Sequence, residues 1–325
     1  MEGFDPRDIR LLDDFQRDLP LGHRPFAEMG LALGLSEAEV LARLARMRAE
    51  GRITRVGATV RPNTAGASTL AALRVPDDRL EEVAALVGAE PGVNHSYLRE
   101  DDWNLWFVAT APTPDSLARL LARIEAQSGV PLIDLRLVRP FNIDLGFRLT
   151  GPATAMTGGR APDLAALCPE DRPLLQALSA GLDLVPAPYA ALAATLGRDE
   201  AGLRARIAAL LSAGIITRLG VIVRHRALGW TANAMVVWDC PPDRVAAAGQ
   251  ALAALPGVTL CYERRPVAGL WPYRLYCMIH ARSRPEALAV LDRARALPLL
   301  AETGHRVLFS TRCFKQTGAR IAEVA

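Results

Sequence analysis

The chain has 325 residues, half of them apolar, and 38 basic against 35 acidic side chains give it a net charge of +3. That length can bury two modest cores, and the near-balanced charge admits an anionic ligand without requiring nucleic acid. The five cysteines, at 168, 240, 261, 277 and 313, form no CxxC pattern, which argues against an iron–sulphur cluster, a zinc knuckle or a disulfide framework and fits reduced thiols.

Three helical runs come first: residues 9–19 (IRLLDDFQRDL), 24–35 (RPFAEMGLALGL) and 37–51 (EAEVLARLARMRAEG). Ser36 with Glu39 three positions on predicts a capping box for the third, and Gly51 closes it. A tight helix pair of this kind is a helix-turn-helix pattern, and the strand ITRVGATVR at 53–61 predicts a winged version. Strand 68–76, helix 78–90, strands 93–100 and 103–111, helix 114–129 and strand 132–141 then read as βαββαβ. That is a ferredoxin-like sandwich with two helices on one face of an antiparallel sheet. Its other face must be covered or bind something.

The chain then repeats itself. GRITRVGATVR at 51–61 returns as GIITRLGVIVR at 214–224, PGVNHSYLRE at 91–100 as PGVTLCYERR at 256–265, and NLWFVATA at 104–111 as YRLYCMIHA at 273–281. A repeat this long is a whole module copied in tandem. The expected fold is therefore α+β: two winged helix-turn-helix plus ferredoxin-like modules. The divisions fall at 1–66, 67–149, 230–325 and 168–229, with a Gly/Thr/Ala/Pro-rich linker at 150–167.

Strand alternation sorts the side chains. Val258, Leu260, Tyr262 and Arg264 share one face; so do Arg274, Tyr276, Met278 and His280, while Leu275, Cys277 and Ile279 look toward a core. In the first copy His95, Tyr97 and Arg99 share a face, as do Asn104, Trp106 and Val108. Tyrosines and arginines side by side suit a flat aromatic ligand bearing carboxylates, since rings stack on rings and guanidinium forks grip carboxylates. Arg264, Arg265, Trp271, Tyr273, Arg274 and Tyr276 fall within thirteen residues. The plainer alternative is a solvated or dimer-facing sheet. Arg224-His225-Arg226 is the second concentration. Its histidine is depressed by like charge and restored by a bound carboxylate, as a substrate-triggered proton donor requires. The first copy has Arg61-Pro62-Asn63 there. His23 and His305 read as local turn or strand-start residues.

RLGVIVRHRALGWTANAMVVWDCP, with PGVTLCYERR through WPYRLYCMIH, resembles the siroheme decarboxylases, distant relatives of the leucine-responsive (Lrp/AsnC) regulators. The likeness covers both copies and matches fused two-subunit forms. It implies removal of carboxyl groups from the two acetate side chains of siroheme to give 12,18-didecarboxysiroheme, with no cofactor beyond the iron tetrapyrrole substrate. It further implies His225 as general acid, with Arg224 and Arg226 on carboxylates or developing charge. Tyr262, Arg264, Arg265, Trp271, Tyr273, Arg274 and Tyr276, with His95, Tyr97, Arg99 and Trp106, would bind substrate, and His280 or His95 offers an axial ligand to its iron. The expected partners are siroheme and its products, a further copy of the chain, or other haem-biosynthesis proteins, and neither nucleic acid nor membrane.

Two alternatives stand beside this reading. A DNA-binding regulator shares the architecture, but its reading helices would begin Ser-Glu-Ala-Glu and Arg-Asp-Glu-Ala, with carboxylates facing phosphates. A haem carrier or sensor would use the same residues without turnover. The start MEGFDPRD has no apolar core, and no apolar run reaches membrane-spanning length, so the expected location is cytoplasmic.

Overall fold

A computed structural model describes residues 5–142 and 161–322, so most of the expected linker lies outside the described residues. In the first copy α1 (Pro6–Asp14), α2 (Pro25–Leu33) and α3 (Glu37–Ala49) lead into β1 (Ile53–Val60). The capping box forms: Glu39 N donates to Ser36 Oγ at 3.3 Å, and Ser36 N donates to the Glu39 carboxylate at 2.9 Å. Then come β2 (Ala67–Leu73), α4 (Leu80–Ala89), β3 (Val93–Arg99), β4 (Leu105–Ala111), α5 (Pro114–Ser128) and β5 (Leu132–Asn142). The second copy repeats the order with α6 (Asp171–Ala180), α7 (Pro188–Thr195), α8 (Glu200–Ser212) and β6 (Ile216–Val223). It ends with β7 (Ala232–Trp238), α9 (Val245–Ala254), β8 (Val258–Arg264), β9 (Leu275–Ala281), α10 (Arg284–Arg295) and β10 (His305–Gln316).

The two copies are interleaved rather than strung out. The single strand that follows each helix triplet finds its partner in the other copy, β1 against β6 antiparallel, with Gly57 opposite Gly220. Both glycines are needed, because a Cβ at either would lie 2.4 Å from the backbone of the helix end above it, at Leu178 or Gln16. The wing is thus one two-stranded ribbon shared by both helical units. Beneath it the units share one core, in which Leu11, Met29 and Leu44 meet Leu174, Ile207 and Leu210.

The ferredoxin-like sheets, β3-β4-β2-β5 and β8-β9-β7-β10, join in the same crossed fashion. Strand β5 pairs with β8 and β10 with β3, closing an eight-stranded barrel. The face that the helices leave bare on each sheet is covered by the other sheet, and no edge is left open. Helix-side cores hold Leu105 and Phe107 in one copy and Leu275, Cys277 and Ile279 in the other. The barrel interior is packed by Trp106, Met235, Val237, Trp271, Tyr276 and Leu308. Two positions depart from simple alternation. A register shift between Val258 and Leu260 turns Val258 into the helix-side core, and the matching shift between Val93 and His95 does the same for Val93.

Four arginines of the helix-turn-helix units are occupied. On α3, Arg43 reaches Asp5 and the fully buried Asp8 at 2.7 Å each, and Arg46 also pairs with Asp8. On α8, Arg206 Nε donates to Asp171 at 2.7 Å, while Arg204 Nη1 donates to Leu21 O at 2.9 Å. The start of α8 is covered by the first copy, because His23 pairs with Glu200 at 2.7 Å.

Candidate active site

The sequence-predicted residues separate into two groups inside the barrel, related by the internal repeat. The first gathers at the end where β7 begins. A short turn, His225–Leu228, follows β6 and closes at Gly229, whose φ of 91° favours a residue without Cβ. The turn sets His225 against His280 of β9, with ring centroids 4.8 Å apart and edge to face. Arg226 Nη2 donates to Ser310 O on β10 at 2.5 Å, and Arg224 stays exposed at the rim. The opposite wall comes from the first copy. His95 and Tyr97 of β3 stack at 6.3 Å, and the Arg99 guanidinium lies 5.7 Å from the Tyr97 ring. Arg99 Nη1 donates to Leu308 O at 3.1 Å, and Cys313 of β10 stands opposite Tyr97.

Three histidines therefore converge from three strand ends, and hydrogen bonds assign two of their tautomers. Thr259 Oγ1 donates to Met278 O at 3.1 Å, so at 2.6 Å it accepts from His280 Nδ1. That leaves His280 Nε2 as the lone-pair nitrogen. Asn233, 3% exposed at the start of β7, donates its amide N–H to His225 Nε2 at 3.1 Å. Its own Oδ1 is buried without a hydrogen-bond partner. Were Nε2 to gain a proton, a half-turn of the Asn233 amide would present that oxygen as acceptor, so one side chain can serve both protonation states.

Electrostatics keep the imidazoles neutral. Burial first, then the Arg226 charge, pulls His225 down to about 4. Burial, then Arg55, then His225 bring His95 to about 4 as well. His280 is held well below the ordinary value by burial, with His225, Arg99 and Arg226 adding to it. Burial also lowers Arg99 to about 10, which leaves it charged at neutral pH. Among the described residues no salt bridge engages Arg55, Arg99 or Arg226, and the Nε of each is buried without a hydrogen-bond partner. Guanidiniums without a carboxylate partner beside neutral imidazoles make a setting in which a bound anion would be favoured and would raise the proton affinity of the imidazoles. Among the described residues no three His, Cys, Asp or Glu side chains group as a metal site.

The second group holds Tyr262, Arg264, Trp271, Tyr273, Tyr276 and Trp106. Arg264 Nη1 donates to Leu135 O at 2.8 Å and lies 5.1 Å from the Tyr262 ring. Trp271 Nε1 donates to the Tyr276 hydroxyl at 2.7 Å, and Trp106 packs on Trp271 at 5.4 Å. Trp106, Trp271 and Tyr276 are 1% exposed and fill the barrel. Sequence reasoning put Tyr262 and Arg264 on the wall facing His225. In the fold, Tyr97, Arg99 and His95 occupy that wall, because β10 runs beside β3 while β8 runs beside β5. Arg274 precedes β9 and Arg265 is exposed past β8. Asn104 is engaged with the Val75 backbone. Near this second group, Arg61, Pro62, Asn63, Leu137, Val138 and Pro140 line a cavity of about 250 Å³, with Pro162 and Leu164 against it.

The strand parity missed Asn233, Thr259 and Arg55. A lone amide in the otherwise apolar ANAMVVW was the available signal for Asn233. Nothing local marks Thr259, which matters only through its neighbour on β9.

Two family models match the chain: an AsnC-like ligand binding domain over residues 65–141 and 227–315, and a siroheme decarboxylase NirDL-like HTH domain over 8–53 and 171–216. The siroheme decarboxylase NirDL subunit of Paracoccus denitrificans is 66% identical over 321 residues, 99% of each chain. The siroheme decarboxylase of Hydrogenobacter thermophilus is 30% identical over 316 residues, 94% of this chain and 92% of that one. A crystal structure of the siroheme decarboxylase NirDL in co-complex with an iron-uroporphyrin III analogue superposes with a TM-score of 0.67 at 25% identity, over 97% of this chain and 93% of that one.

Proposed function

The chain belongs to the siroheme decarboxylase family in its fused two-module form, and we propose that it removes the acetate carboxyl groups of siroheme at the histidine end of its barrel, giving 12,18-didecarboxysiroheme. The observation that carries this placement is the convergence of His225, His280 and His95 with Arg99 and Arg226, cations that no carboxylate of the described residues neutralises. The tetrapyrrole is substrate and brings its own iron.

Each decarboxylation breaks the bond between the acetate methylene and its carboxylate. Carbon dioxide leaves, the electron pair spreads into the conjugated ring, and a proton then bonds to the methylene carbon to make a methyl group. The chain's task is to grip the other carboxylates, keep water from the reacting one, and hold a proton ready. Arg99 and Arg226 are the grip. Bound carboxylates raise the depressed imidazoles, so His225 becomes a proton donor only with substrate in place. Asn233 accepts from that imidazolium after its amide turns. His280, with Nδ1 committed to Thr259, offers Nε2 to the iron or to proton transfer with His225.

We assign one catalytic site to each chain. The repeat equates His225 with Pro62, His95 with Leu260 and His280 with Thr110, so the other end retains tyrosine and arginine but none of the three imidazoles. Both carboxyl losses then pass through one site, and the macrocycle must be re-seated between them. The regulator alternative fits less well, since Arg43 and Arg46 of α3 and Arg206 of α8 are tied to buried aspartates and Arg204 to the backbone of Leu21. Anaerobic incubation with siroheme, followed by mass spectrometry, tests the reading. Two successive losses of carbon dioxide are expected. A bound but unaltered macrocycle would instead identify a carrier or sensor.

A further inference from the structure

Strand β1 passes directly under the turn that holds His225. Thr54 Oγ1 donates to Ile222 O at 3.1 Å, and Arg55 stands opposite Ile222 in the β1–β6 register. Arg224 N donates to Arg52 O at 2.8 Å, so residues 52–55 are fastened to the root of the Arg224–Arg226 turn. Gly181 closes the other side of Arg55, where an added Cβ would lie 3.0 Å from the arginine's own Cβ and 3.3 Å from its Cδ. The side chain is hemmed in along its stem, and its charge reaches His95 across the cluster.

What this guanidinium lacks is an anion. Its Nη2 makes one long contact, 3.4 Å to Ala58 O, and its Nε is buried without a hydrogen-bond partner. Burial alone lowers its proton affinity, with no carboxylate to restore it. Two other part-buried arginines of the helical units, Arg43 and Arg206, each meet a buried aspartate. A buried cation left uncompensated destabilises a fold and is tolerated where a ligand supplies the missing charge.

We infer that Arg55 is a carboxylate-binding residue of the tetrapyrrole site, contributed by the helix-turn-helix half of the first copy. This rests on the reading that the histidine end is where the macrocycle sits. It gives the helical half a part in the chemistry: its shared ribbon carries a guanidinium to the substrate's rim, at the root of the turn that holds His225.

The test uses the full chain and iron uroporphyrin III, titrated by absorbance so that no turnover is needed. R55M should bind it roughly tenfold or more weakly, the loss of one charge-assisted contact. R55K should recover part of that loss. The melting temperature of ligand-free R55M should equal or exceed the parent's, because an uncompensated buried charge has gone. Unchanged affinity in R55M overturns the assignment. So does weakened binding accompanied by a lowered melting temperature in both variants, which marks a structural arginine. A parent chain that fails to bind iron uroporphyrin III overturns the tetrapyrrole reading itself, and the Arg55 assignment with it.

Discussion

At one end of the barrel Arg99 lies over Tyr97 and donates to Leu308 O at 3.1 Å; at the other Arg264 lies over Tyr262 and donates to Leu135 O at 2.8 Å. The strand beside each tyrosine is the last strand of the opposite module, with Cys313 facing Tyr97 and Pro140 facing Tyr262. So far the two ends are copies. They part at the imidazoles, where His225, His95 and His280 have Pro62, Leu260 and Thr110 as counterparts. The arginine–tyrosine frame is common to both ends, and the histidines are what distinguishes the end proposed as catalytic. Arg226, matched by Asn63, concentrates positive charge at that same end.

The sharpest way to break the comparison is to remove the proposed acid. H225A should lower the rate of carbon dioxide release by about 10² to 10⁴-fold while leaving much of the tetrapyrrole affinity, read by mass spectrometry and by absorbance titration. Equal loss of both would make His225 an anchor. Next in size is the pair of frame arginines. R99M should weaken iron uroporphyrin III binding about 10 to 100-fold, and R264M much less, since its end has no imidazoles to share the ligand with. Equal losses would show that both ends hold macrocycle.

A smaller shift should follow from N233D. A carboxylate beside Nε2 favours the imidazolium of His225, so the pH–rate profile should move up by about one unit, whereas S68D at the matching position of the other module should leave it in place. The smallest signal is in the protons themselves. His225 and His95 titrate at about 4 when folded against 6.5 ordinarily, so between those values the unfolded chain holds protons that the folded one refuses. Stability should fall as pH drops through that window and level off below it. Bound iron uroporphyrin III should reverse this by drawing protons in. Calorimetry at pH 6 in buffers of different ionisation enthalpy should register uptake, and no uptake would mean the imidazoles stay neutral under the ligand.

Much of the module was legible in the chain. The capping box at Ser36 and Glu39, the strand alternation and the long repeat are local properties, and local chemistry determines them. Strand parity also sorted Tyr276, Met278 and His280 from Leu275, Cys277 and Ile279 correctly. What parity does not carry is which sheet a face looks at. Strand parity and the family resemblance grouped Tyr262 and Arg264 with His225. Their wall is set by β5–β8 pairing, a contact between strands more than a hundred residues apart. Val258 was misplaced for a smaller reason, a bulge that adds one residue and flips the face. Arg55 escaped notice because ITR occurs in both copies, and a shared triplet reads as scaffold.

The crossed closure of the barrel has a bearing on how the chain is made. Strands β3 and β5 both lie in the first half of the sequence, and their neighbours β10 and β8 come late. As the ribosome releases the first module, it stands with both outer strands of its sheet unpaired, one of them carrying His95 and Tyr97. Such open edges invite pairing with another nascent copy, a route to tangled oligomers. Native closure waits for the last strand, with residues 95 and 316 meeting across about two-thirds of the sequence, a topology that slows folding. Fast translation through the second module, or a chaperone at the first, should raise the yield of active chain.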